Sequence, residues 1–199
     1  MRIHLVRHGI TTLHGGGRYV GSTDAPLNAE GRHQAESLRP LLAHLAPKHV
    51  LCSPLARCRQ TAELAQEGDL KIIQDLREVD FGEWEGLTFA EIADGWPRLV
   101  EKWNEGDEGF AFPGGEALDA FGERMGHAAA RIRACGQDVV VFCHGGVVRA
   151  LLCRFLNLPA EAHIAFSVVP ASVATVRLLP NAEYAVLECF GISEDTKGK

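Results

Sequence analysis

Two histidines in this 199-residue chain, His8 and His144, each close an apolar, β-branched stretch and stand directly before a glycine. Arg7 precedes the first of them, Arg57 follows Ser53-Pro54, and Glu78 lies within Leu76-Arg77-Glu78-Val79-Asp80. Brought together, two guanidinium groups and two imidazoles can surround a phosphate with charge-assisted hydrogen bonds, and arginine's planar fork suits its oxygens. A neutral imidazole is a competent nucleophile toward phosphorus, and a carboxyl group can protonate the departing oxygen. Spacing alone does not make these groups converge. That depends on the elements between them.

Arg2 to Val6 reads as a buried strand that delivers Arg7-His8-Gly9, and the stretch from Gly15 through Gly21 reads as loop. Asn28 looks like a helix cap, and apolar residues Ala35, Leu38, Leu41, Leu42 and Leu45 recur at three- and four-residue spacing. This predicts one helix from about 29 to 45, ended by Pro47. His49 to Cys52 is a short strand leading into a helix from Leu55 that carries Arg57, and Leu70 to Ile73 is a third strand. From 76 to 113 periodicity weakens, which predicts an excursion of short helices, over about 88–105, close to the site. Glu116 to Cys135 reads as helix, with Glu116 near its start. Asp138 to Phe142 is the clearest buried strand, followed by a helix over Val147 to Leu156. Val173 to Leu178 and Tyr184 to Cys189 read as strands joined at Pro180-Asn181, and residues 193–199 read as a frayed tail. Alternating strands and helices imply a three-layer α/β/α sandwich around a mostly parallel, mixed sheet, in one domain over 1–192. Ligands of such sheets bind at the carboxyl ends of strands, where both His-Gly pairs fall.

Composition narrows the function classes. Hydrophobic residues make up 46% and charged residues 23%, as in globular proteins, and 20 basic against 26 acidic residues give a net charge of -6. That balance argues against nucleic-acid or anionic-membrane partners. No run approaches a membrane span, the first residues are too polar for a signal peptide, and six cysteines without a Cys-x-x-Cys pair suit a reduced, cytoplasmic protein. Cys143 reads as core, because neighbours in an extended segment point to opposite faces. A metal site from His4, His8 and His14 is disfavoured, since a strand residue such as His4 need not face the loop. Trp84, Trp96, Trp103 and Phe110 could form an apolar wall for a leaving group or pack the excursion onto the main layer. A homodimer is open, with no segment marking its interface.

Further motifs extend the pattern in order: Thr11, Gly21, Asp24-x-Pro26-Leu27-x-x-x-Gly31, Gln34-Ala35, Ser53-Pro54-Leu55-x-Arg57-x-x-x-Thr61-Ala62, Phe81-Gly82-x-Trp84-Glu85-Gly86, Pro113-Gly114-Gly115-Glu116 and His144-Gly145-Gly146. Together with Arg7-His8-Gly9 this set resembles the histidine phosphatase superfamily, which includes the phosphoglycerate mutases, over roughly residues 1 to 190. The resemblance implies that His8 is the nucleophile, that Arg7 and Arg57 hold the phosphoryl oxygens, and that His144, as a cation, stabilises the charge developing there. It places the proton donor at Glu78, with Glu83 and Glu85 nearby. Thr11, His14, Gly21 and Gly145 fall among the substrate-binding positions, Asp80 sets geometry, and neither a metal nor another cofactor is implied.

The chain departs from the family pattern in two places. Ile10 stands where glutamate is usual, and His14 where an asparagine usually lies near the phosphate. An imidazole there can still donate one hydrogen bond. The length favours a hydrolase over the longer mutases. Among compact hydrolases the chain is most similar to the alpha-ribazole phosphatases of cobalamin assembly, on Tyr19-x-Gly21, Phe81 to Glu85, the Trp103 region and Leu158-Pro159-Ala160-Glu161. The expected partner is a small-molecule phosphomonoester. A broad-specificity phosphatase, a mutase-type phosphotransferase and a phospho-ligand-binding protein without turnover remain as alternatives.

Overall fold

Two β-branched runs from distant parts of the chain meet at the centre of the fold. In the computed structural model, which describes residues 1–107, 109–179 and 185–192, β1 (Arg2–Arg7) and β4 (Val139–Cys143) pair in parallel. Arg7 stands opposite Cys143 in that register, so both strands end at the same level. β2 (His49–Cys52) and β3 (Lys71–Ile72) extend the parallel half, while β5 (Val173–Leu178) and β6 (Ala185–Ile192) add antiparallel strands on the other side. The strand order is β3-β2-β4-β1-β5-β6.

Alternation along the strands fills both faces. Ile3, Leu5, Val139, Val141 and Cys143 pack with α6 (Leu118–Arg133) and α7 (Gly145–Phe155). Val6, Val140 and Phe142 pack on the opposite face with Leu38, Leu42 and residues of α3 (Ala56–Ala65). The expected sandwich with a mixed, largely parallel sheet is the observed architecture. No helix among the described residues is long and apolar enough to cross a membrane.

The single helix expected over 29–45 is two: α1 (Ala29–Ser37), capped by Asn28 Oδ1 on the Gly31 amide at 2.8 Å, and α2 (Arg39–Leu45). Pro40 causes the break. It has no N–H to give the carbonyl four residues back, and its ring crowds that carbonyl. The last helix starts at Gly145, two residues earlier than periodicity placed it. The expected turn at Pro180-Asn181 and the tail 193–199 lie outside the described residues, although β5 and β6 pair antiparallel as a hairpin requires.

Between β3 and α6 the chain leaves the sheet and builds its own small core. A reciprocal Thr88–Glu91 capping box starts α4 (Phe89–Gly95), and Pro97 opens α5 (Pro97–Glu105). Trp84 is wholly buried there, with Phe112 at 5.3 Å and Trp103 at 5.5 Å between ring centres. Trp84, Trp96, Trp103 and Phe110 therefore pack together as the excursion's own core. Trp84 Nε1 is buried without a partner among the described residues. Trp84→Ala is expected to lower stability by about 3–5 kcal/mol. Trp84→Phe, which also removes the unpartnered donor, should cost less. Urea unfolding of the two variants checks the order.

Candidate active site

The common end of β1 and β4 brings the two histidines together. The His8 amide donates to Cys143 O at 3.0 Å, and the rings of His8 and His144 are 5.2 Å apart, centre to centre, edge to face. β2 ends beside them, with the Ser53 amide on Phe142 O at 2.9 Å, which sets the start of α3 and hence Arg57 against His144. The sequence-predicted residues His8, Arg7, Arg57, His144 and Glu78 thus come from strand ends and the loops and helices that follow them.

His8 Nδ1 lies 2.7 Å from Gly9 O. A carbonyl can only accept, so Nδ1 carries the proton and Nε2 keeps its lone pair. Desolvation, then the charges of Arg57 and Arg7, hold the His8 pKa well below the ordinary 6.5. The ring is a neutral imidazole with a defined free nitrogen. Arg7 Nη1 donates to Val168 O at 2.6 Å, and its buried Nε has no partner among the described residues.

Arg57 is entirely buried, on α3. Its Nη1 donates to Thr23 O at 2.8 Å, its Nη2 to Gly21 O at 2.6 Å and its Nε to His144 Nδ1 at 3.1 Å. Because Nε can only donate, His144 Nδ1 is unprotonated, and His144 Nε2–H donates to Ser53 Oγ at 2.8 Å. Burial and the charge of Arg57 likewise push the His144 pKa well down. The expectation of a cationic His144 is corrected here: protonating Nδ1 would set its proton against the Arg57 donor. Arg57 sets this tautomer, and the Ser53 hydroxyl accepts from the nitrogen it leaves protonated. The thiol against the ring belongs to Cys58, at 3.4 Å from Nε2, while Cys143 is core; burial holds both thiols protonated.

Glu78 reaches the first turn of α7, where its Oε2 accepts from the Gly146 amide at 2.9 Å. A carboxylate here satisfies one of the amides that a helix start leaves open and meets the positive end of its dipole. A Cβ on residue 146 would stand 2.5 Å from Glu78 Oε1, so any other residue there would push the carboxylate off its present position. Gly145 opens the same helix beside Arg7. The two neighbouring carboxylates are directed elsewhere. Glu83 is exposed against the Gly114 turn, and Glu85 takes the amides of Gly21 and Ser22 at 2.8–3.1 Å and the Thr23 hydroxyl at 2.7 Å. Glu85 is therefore a clasp on the loop whose carbonyls hold Arg57, a role that only the folded contacts reveal. A Cβ at Gly21 would fall 2.0 Å from Val79 O, so the loop passes there as glycine alone.

The remaining expected positions are less central. Thr11 is buried and bridges Leu27 through its backbone, and His14 is exposed, with its amide on Thr11 O at 3.1 Å. His14 adds only a small like-charge effect on His8. Asp80 Oδ1 accepts from the Ser22 hydroxyl and the Gly82 amide at 2.9 and 3.0 Å, a geometric part as expected. Among the described residues no group of three or more His, Cys, Asp or Glu could hold a metal ion.

His4, on the α2 side of β1 with Nδ1 2.9 Å from Thr175 Oγ1, is, like His144, a buried histidine, and burial lowers its pKa. His4, His8 and His144 all bind protons less readily folded than unfolded, so their stability contribution is complete above about pH 6.5 and declines as pH falls below it. The slope approaches ~1.4 kcal/mol per pH unit for each histidine until its native pKa is reached. Urea midpoints should drop between about pH 7.5 and about pH 5; a constant midpoint would contradict the neutral assignments.

Comparison with known proteins agrees with this geometry. The family model of the histidine phosphatase superfamily (branch 1) matches residues 3–188. The adenosylcobalamin/alpha-ribazole phosphatase of Salmonella typhimurium is 34% identical over 167 residues, covering 81% of this chain and 83% of the relative. Phosphoserine phosphatase 1 of Hydrogenobacter thermophilus is 30% identical over 183 residues, covering 89% and 87%. The crystal structure of the alpha-ribazole phosphatase from Shigella flexneri superposes with a TM-score of 0.85 at 30% identity, over 96% of each chain. With a histidine-centred site at the paired strand ends and a family match over nearly its whole length, the chain belongs to the histidine phosphatase superfamily, branch 1.

Proposed function

We propose that the protein hydrolyses phosphomonoesters through a phosphohistidine on His8, without a metal ion, and that alpha-ribazole 5'-phosphate of cobalamin assembly is its natural substrate. The observation that carries the chemistry is the His8 Nδ1 bond to Gly9 O, which leaves Nε2 as the free nucleophile. Nε2 attacks phosphorus as the bond to the ester oxygen breaks, and Glu78 in its protonated form gives that oxygen its proton. Water then attacks the phosphohistidine, Glu78 takes the proton, the N–P bond breaks and phosphate leaves.

Guanidinium groups supply the charge that a divalent cation supplies in other phosphoryl-transfer enzymes. Arg7 has its unpartnered Nε, and each Nη of Arg57 carries a second N–H beyond the one given to a carbonyl. The first amides of α7 add an anion-binding helix start. His144, neutral and tied at both nitrogens, contributes by fixing Arg57. The leaving-group assignment rests on likeness to alpha-ribazole phosphatases, and the phosphoserine phosphatase relative supplies the competing substrate.

Turnover of 4-nitrophenyl phosphate is expected to persist in excess chelator and to vanish in His8→Ala, with an acid-labile phosphoenzyme trapped only in the parent. Strict metal dependence, or a phosphoenzyme in His8→Ala, would sink the mechanism. In a screen of alpha-ribazole 5'-phosphate, phosphoserine, phosphoglycerates and nucleotides, the first should lead by more than about tenfold in kcat/KM, or ~1.4 kcal/mol of discrimination. A smaller margin identifies a broad-specificity enzyme, and transfer between hydroxyls faster than phosphate release identifies a mutase.

A further inference from the structure

Glu78 does not hold its own position: its side chain hangs from a segment without regular structure, between the short 3-10 turns at 74–76 and 82–84. Two residues that never meet the histidines grip that segment from behind. Arg124, on α6, forms a two-pronged ion pair with Glu116, Nε to Oε1 at 2.9 Å and Nη2 to Oε2 at 2.6 Å. Both side chains are largely buried, 11% and 16% exposed, and the guanidinium lies over the Phe121 ring at 5.0 Å.

The other edge of the guanidinium is spent on backbone. Arg124 Nη1 donates to Asp75 O at 2.9 Å and Arg77 O at 2.7 Å, and Nη2 reaches Glu78 O at 3.4 Å. From the opposite side the Glu116 amide donates to Asp80 O at 2.9 Å, and Glu116 Oε2 accepts from the Asp80 amide at 3.4 Å. The segment is thus fixed on both sides of residue 78, by a pair whose own charges cancel. A lysine could keep the charge but not the fork, which needs planar donors in fixed directions. A proton donor a fraction of an ångström out of place loses much of its effect, so such a grip bears on rate.

We propose that Arg124 and Glu116 are positioning residues for leaving-group protonation, holding the 75–80 backbone so that the Glu78 carboxyl meets the departing oxygen. This rests on the reading of Glu78 as the proton donor. It separates the reaction's two demands: phosphoryl binding belongs to Arg7, Arg57 and α7, whereas protonation depends on a grip from α6 on the far side of the loop.

The leaving group provides the test. Nitrophenolate departs without a proton, whereas an alkoxide does not, and kcat/KM reports the transfer to His8 in which that difference matters. Arg124→Lys and Glu116→Gln are each expected to lower kcat/KM for glycerol 3-phosphate by roughly tenfold to a hundredfold, but for 4-nitrophenyl phosphate by less than about threefold. Glu78→Gln should show the same selectivity, more strongly. Equal losses on both esters in Arg124→Lys and Glu116→Gln, beside a selective Glu78→Gln, would show that the pair only supports the fold and overturn the proposal. A Glu78→Gln variant that lost both activities alike would instead remove the donor assignment, and the proposal with it. Glu116→Gln keeps the size and one hydrogen bond of the native side chain, so the comparison survives if Arg124→Lys fails to fold.

Discussion

A guanidinium with no exposed surface sets the terms for the rest of this site. Removing the Arg57 charge from water is tolerable only when its donors are met by acceptors, since an unpaired buried charge is among the costliest groups a protein can hold. Gly21 O, Thr23 O and His144 Nδ1 are those acceptors. From that requirement follow the inward turn of the 21–23 loop, the need for Glu85 to tie the loop's amides, and a neutral His144. A neutral His144 beside a neutral His8 leaves Arg57 and Arg7 as the positive charges acting on His8. Burial first, and the Arg57 charge second, hold both imidazoles neutral.

Glu78, the proposed proton donor, belongs to a different part of the structure. Glu78 enters from the base of the excursion, whose aromatic core around Trp84 is separate from the two sheet cores. The excursion carries the loop on one side of the site, while the strand ends form the other. Gly146 is where the two meet: the carboxylate from the excursion accepts from the first turn of the helix that follows β4.

How much was legible beforehand depended on how local the cause was. The central strands could be read from apolar runs, and the convergence of His8 and His144 follows once β1 and β4 pair in register. The break between α1 and α2 was also present in the residues, because Pro40 forbids a continuous helix, but the strong apolar spacing across it masked the signal. The early start of α7 was not local. Glycines are poor helix residues until a carboxylate from 68 positions away occupies their amide. For the same reason Glu78, Glu83 and Glu85 could not be told apart by type, since only the partners of the folded chain send one to α7, one to a surface turn and one to the 21–23 loop. The charge of His144 was misread because it depends on the donor direction of Arg57, a fact of side-chain geometry that no pattern of residue types contains.

The parallel register of β1 and β4 has a bearing on how the molecule comes into being. Its two strands lie near the first residue and beyond the second third of the chain, so joining them closes a large loop, at an entropic cost that no local contact offsets. During synthesis from the amino terminus, His8 exists long before its neighbour across the sheet. Until the later strand arrives, His8 sits at the end of a lone apolar strand, with neither Cys143 O nor His144 beside it. Topologies rich in such distant pairings fold slowly. The His8–His144 pair therefore depends on a contact between segments more than 130 residues apart, and any change that weakens the β1–β4 pairing reaches the site directly.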